Sequence, residues 1–94
     1  HFNRGLAALR AGDLAAAKAA FRTEIARAPD YHEFHFWLAV ALYGLGDVEQ
    51  ARAHLTAAMK NSLTMREQAI YASKLRSLEP AAATGASTPV RATN

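Results

Sequence analysis

The chain contains no cysteine, which rules out disulfide staples and thiolate metal sites and leaves the redox compartment open. No apolar stretch approaches the roughly 20 residues of a membrane-spanning helix, and no signal-peptide pattern opens the sequence, so membrane insertion is not expected. Because the first residue is His1 and not methionine, the sequence looks like a cut fragment or a processed product, and its missing targeting information carries little weight. Runs of four or more like charges are also missing. The 11 basic and 8 acidic residues are interspersed, giving a net charge of +3. Such a pattern makes a solvated surface, whereas a nucleic-acid footprint needs a clustered basic stripe with aromatics interleaved. There is no glycine-rich phosphate loop, no nucleophile with a plausible base and no carboxylate pair placed across a cleft, so neither catalysis nor a cofactor is expected.

What is present is the balance of a soluble globular chain, 51% apolar and 20% charged over 94 residues, enough for one domain with one small core. Its centre is YHEFHFWLAVALYGLG, Tyr31 to Gly46. Phe34, Leu38, Ala41 and Leu45 make one helical stripe; Phe36, Val40 and Tyr43 make a second, with Trp37 between them. A helix apolar on two sides is either covered all round or keeps one side for a partner.

Around it the spacing predicts four more helices. The first runs from Phe2 to Ala11 with Phe2, Leu6 and Leu9 on one face, and Gly12 ends it as a left-handed cap. Asp13 caps a second helix carrying Leu14, Ala17, Phe21, Ile25 and Ala28, which Pro29 stops. Asp30 and Glu33 form a capping box for the central helix, and Gly46 ends it. Asp47 and Gln50 repeat the box before Val48, Ala51, Leu55, Ala58 and Met59. Thr64 and Glu67 start a fifth helix with Ile70, Tyr71, Leu75 and Leu78 inward, closed by Pro80. The last fifteen residues, PAAATGASTPVRATN, have no apolar period and read as a tail.

Comparing the chain with itself brings out a repeat. Gly12-Asp13 matches Gly46-Asp47 at an offset of 34 residues. At the same offset Gly5 meets Ala39, Leu14 meets Val48, Ala17 meets Ala51, Phe21 meets Leu55 and Ile25 meets Met59. With its small residues where helices cross (Gly5, Ala17, Ala39, Ala51), large ones beside them (Phe21, Leu55) and a closing Pro29, the sequence resembles the tetratricopeptide repeat family. A glycine or alanine at the crossing lets two helices approach to about 8 Å. Departures from the family pattern are His35 in place of a tryptophan, Arg4 in place of a leucine, Glu24 in place of a small residue and Leu63 in place of a proline.

The resemblance implies an all-α fold, a right-handed solenoid of αα-hairpins with five helices. Residues 1–31 would be a first repeat lacking its start, 32–65 a second, 66–79 a capping helix and 80–94 the tail. Free-standing solenoids usually need about three repeats, so further repeats upstream, or self-association, are expected. The implied function is protein binding in a concave groove lined by the first helix of each hairpin. Carried over, the groove residues are Phe2, Asn3, Leu6, Leu9 and Arg10, then Glu33, Phe36, Trp37, Val40 and Tyr43, then Glu67, Tyr71 and Lys74. Trp37 has a competing role in packing between neighbouring helices. One subclass of the family grips acidic C-termini through a clamp of lysines, asparagines and arginine; Phe2, Leu6, Trp37, Glu67 and Tyr71 stand in those places here. An apolar peptide, a partner helix or the chain's own Thr88-Pro89-Val90 suits this groove better than an acidic C-terminus. The expected role is an interaction module within a larger scaffold or adaptor; the alternative is self-assembly through repeat edges or tail docking. His32 and His35, with Glu33 beside them, have the only metal-like spacing. Zinc wants three or four convergent ligands, His1 and His54 are not expected on that face, and no metal site is expected.

Overall fold

Two glycine–aspartate pairs, 34 residues apart in the chain, set where helices stop and start. The computed structural model describes residues 2–78, and these form five helices: α1 (Phe2–Arg10), α2 (Leu14–Arg27), α3 (His32–Gly44), α4 (Val48–Lys60) and α5 (Met65–Ser77). Gly12 and Gly46 sit at φ +83° and +88°, a left-handed conformation that a side chain resists. The Gly12 amide donates to the Leu9 carbonyl (3.1 Å) and the Asp13 amide to Ala8 (2.8 Å); Gly46 and Asp47 repeat this with Tyr43 (3.0 Å) and Leu42 (2.9 Å). Both are Schellman ends, which satisfy the last carbonyls of the outgoing helix. Each aspartate then caps the next helix, Asp13 accepting from the Ala16 amide and Asp47 from the Gln50 amide, both at 3.2 Å.

The fold is an all-α helical repeat, with extensive contact between each helix and the next along the chain. Its core is Ala17, Phe21, Leu38, Ala39, Ala41, Leu42, Ala51 and Leu55. Small residues at the crossings allow this: Ala17 and Ala51 are wholly buried, and a Cβ added to Gly5 would lie 2.5 Å from the Phe21 ring. Close approach then lets dispersion contacts accumulate between helices that carry many alanines.

Several local expectations are corrected. Asp30 does not cap α3. The Tyr31 amide donates to the Ala28 carbonyl at 3.2 Å, a turn with Pro29 and Asp30 in its middle, so the N-cap falls on Tyr31, which has no side-chain bond to the helix. Glu33 instead accepts from the Tyr31 hydroxyl at 2.7 Å. Thr64 does cap α5 through the Glu67 amide (3.1 Å), but the Glu67 carboxylate returns to the Leu63 amide, not to that of Thr64. The Gln50 side chain bonds the Asp47 carboxylate at 2.9 Å instead of its amide. Ile70 and Leu45 lie outward, 45% and 44% exposed, because Tyr71 and Leu42 take the inward positions beside them. Pro80 and the 80–94 tail, with Thr88-Pro89-Val90, lie outside the described residues.

Candidate functional site

An open trough of about 370 Å³ lies between α3 and α5. One wall is a ridge of α3, on which Phe36, Val40 and Tyr43 recur at the three- and four-residue spacing of a single helix face; Ala39 stands beside them. The other wall is the C-terminal half of α5, with Lys74, Ser77 and Leu78, and Leu55 of α4 reaches the floor. Tyr43 is 54% exposed, Phe36 and Val40 are half-buried and Lys74 is exposed. Among the described residues Lys74 has no carboxylate within ion-pair reach. The Ser77 hydroxyl donates to the Lys74 backbone carbonyl at 2.7 Å.

A polar strut joins the same two helices near their N-termini. The Tyr71 hydroxyl lies 2.6 Å from His32 Nδ1, and His32 Nε2 lies 3.5 Å from the Glu67 carboxylate. The arrangement that satisfies every group has the hydroxyl donating to Nδ1 and the Nε2–H facing Glu67. Both rings are buried, His32 at 5% and Tyr71 at 6% exposure. Burial first, then the Glu67 and Glu33 carboxylates, pushes the Tyr71 phenol up to about 12. The Tyr31 phenol is also raised, chiefly because its proton is held by Glu33. The Tyr71 ring lies 5.4 Å from that of Phe36 and links strut and trough.

Of the residues singled out in the sequence, the structure brings Phe36, Val40, Tyr43 and Lys74 together. Trp37 is half-buried, packed on the core with its ring edge-on to Phe36 at 5.0 Å. Tyr71, Glu33 and Glu67 belong to the hydrogen-bonded groups above. Phe2 packs against Phe21 (6.0 Å) and Phe34 (5.4 Å) and covers one end of the core with Leu6 and Leu9. Asn3 and Arg10 are exposed on α1. None of these five α1 residues lines the trough. Ala39, Leu55, Ser77 and Leu78 line it without having been placed in the groove from the sequence. Part of the signal was there: Ser77 follows Tyr43 at the repeat offset.

His54 lies against His35, contrary to expectation. The Pro29 carbonyl, which only accepts, is 2.6 Å from His35 Nε2, so that nitrogen carries the proton. His35 Nδ1 then accepts from His54 Nδ1–H at 3.0 Å. Burial first, then the repulsion that a protonated His54 would meet from a protonated His35 and from Arg22, lowers the His54 pKa below 6.5. Among the described residues no cluster of three or more His, Asp or Glu side chains is placed to hold a metal ion, and no helix is long and apolar enough to cross a membrane.

A protein-family model described as tetratricopeptide repeat matches residues 2–62, a span that takes in α1 to α4. Neither a curated protein nor a solved structure matches the chain.

Proposed function

The chain belongs to the tetratricopeptide repeat family, and from that premise we propose that the trough between α3 and α5 receives a peptide or a partner helix. Repeats of this family generally mediate protein–protein interaction. The observation that carries the site is one open apolar wall on which Tyr43 is exposed and Phe36 and Val40 are left half-buried. A large aromatic left half in water beside a cavity gains from burial by an incoming apolar side chain. The chain is then two repeat units, 1–31 and 32–65, followed by α5 as a capping helix, acting within a larger scaffold or adaptor. Exposed Arg66 and Arg76 on α5 support the capping role, since terminal repeats need a polar outer face.

Peptides selected from a random library on the full chain test this reading. Their affinity should fall by about tenfold or more on the Phe36→Ala, Tyr43→Ala double variant, with helicity unchanged, because two anchors each burying tens of Å² are lost. It should change by less than about tenfold between roughly 50 and 200 mM salt, because buried apolar contacts are not screened. Undiminished binding to the double variant, or a steeper salt dependence, removes the proposal. A second reading is self-assembly, favoured by Leu63 and Met65, which are 80% and 82% exposed at the α4–α5 turn. Sedimentation across a concentration series decides it: a strict monomer ends that reading.

A further inference from the structure

We propose that the trough discriminates among apolar segments of partner proteins, preferring those that carry one carboxylate side chain beside their apolar anchors, and that Lys74 is the residue that reads it. The inference rests on the binding role just assigned to the trough and names the partner's chemistry.

Among the described residues, Lys74 is the only charged side chain lining the trough. The nearby acids are already engaged at the strut end: Glu33 accepts from the Tyr31 hydroxyl, and Glu67 accepts from the Leu63 amide and faces His32. Among the described residues no carboxylate pairs with the ammonium, which can meet a charge brought by a ligand. A wholly apolar segment laid across the trough strips water from Lys74 and returns nothing, which weakens its binding. A segment with one carboxylate in that place replaces the lost water with a charge-assisted hydrogen bond. A highly acidic segment is not favoured, because a single cation cannot pair several carboxylates and the rest would lie on Phe36, Val40 and Tyr43. The overall charge of +3 adds a weak long-range attraction of the same sign. This device differs from the clamp for acidic C-termini, whose places are held here by Phe2, Leu6, Trp37, Glu67 and Tyr71.

The test is parallel selection of a random peptide library on the full chain, on Lys74→Ala and on Lys74→Glu, each shown to be folded by circular dichroism. Wild-type selection should enrich sequences with one Asp or Glu at a fixed spacing from Leu, Ile, Phe or Tyr. Lys74→Ala should keep the apolar pattern and lose the acid, and Lys74→Glu should favour Lys or Arg in its place. In calorimetry, changing the acid of a selected peptide to its amide should weaken wild-type binding by roughly 1.5- to 5-fold, the range of a single exposed ion pair, and leave Lys74→Ala binding unchanged. Apolar enrichment with no acid preference, or the same preference on Lys74→Glu, overturns the inference and leaves the trough's binding role intact. Selected sequences resembling residues 79–94 or 2–10 would mark the chain itself as occupant and also overturn it. Peptides indifferent to Phe36→Ala and Tyr43→Ala, or no enrichment at all, overturn the binding role as well.

Discussion

Replacing Gly5 by alanine sets two opposed effects against each other at a place where the structure says which wins. Alanine in a helix interior is favoured over glycine by about 1 kcal/mol, so propensity alone predicts stabilisation. The new Cβ, however, would lie 2.5, 2.9 and 3.0 Å from three atoms of the Phe21 ring, where ordinary contact begins at 3.4 Å, so the ring or α1 must retreat by roughly 1 Å. Phe21 is wholly buried and its ring is backed by Phe2 at 6.0 Å, leaving it little room. Overpacking of a filled core costs about 1–3 kcal/mol, and a clash with a rigid ring belongs at the upper end. The net expectation is a loss of about 1–2 kcal/mol, which lowers Tm by roughly 5–15 °C in a domain of this size. Urea denaturation followed by circular dichroism measures it. Gly44→Ala is the control: its Cβ would meet a Leu14 methyl at 2.7 Å, the far end of a half-buried side chain that can swing aside, so this variant should be neutral or up to about 1 kcal/mol more stable. Adding Phe21→Leu should recover part of the Gly5→Ala loss through a measurable coupling energy. A Gly5→Ala chain as stable as the wild type would refute the argument that Gly5 is small for the sake of Phe21.

Three further outcomes follow from the same geometry. Gly46→Ala places a Cβ at φ +88° and should cost about 1–2 kcal/mol, read from a shift in the urea midpoint with little change in its slope. Because the His54 pKa is lowered from 6.5, the folded chain binds fewer protons than the unfolded chain just below that value. Stability is therefore fully present above pH 6.5 and declines as pH falls through the lowered pKa; His54→Gln should flatten the profile there, and an unchanged slope in the variant counts against the assignment. Tyr71 titrates at about 12 instead of 10.0, so its stabilisation is fully present below pH 10 and lost on rising towards 12, by an amount on the order of 2 kcal/mol. Tyr71→Phe should remove that alkaline loss and cost about 1–2 kcal/mol near neutrality, since His32 Nδ1 is left buried without a donor; thermal melts across both pH ranges check it.

The helix ends were legible in the sequence because their chemistry is local. A glycine at a left-handed position followed by an aspartate able to cap carries its meaning within about six residues. Asp30 was misread for a reason just as local: Pro29 drew it into a turn and moved the helix start one residue on. The Phe36, Val40 and Tyr43 ridge was legible as a helix face, and Lys74 through the family register. The floor of the trough was not, because Leu55 belongs to another helix whose tilt no periodicity encodes. The His35–His54 contact was missed on the same ground, since residues 19 apart in sequence meet only once two helices have chosen a crossing angle. Nor could spacing show that the Tyr71 hydroxyl is bound to His32.

The bond between His32 and Tyr71 spans 39 residues of sequence, whereas the extensive helix contacts run only between consecutive elements. A stack of nearest-neighbour couplings would otherwise open from its ends like a zip, each terminal helix leaving on its own. The strut ties the last helix to the one two before it, so α5 cannot peel away without stranding a buried imidazole. Both terminal helices reach α3, α1 through the Phe2–Phe34 ring contact and α5 through this buried hydrogen bond, so amide hydrogens of α5 should exchange through an opening that breaks the bond to His32. The wall that carries Lys74 is held at its distance from the wall that carries Tyr43 by a contact outside the trough, so the width of the trough is set by the fold itself.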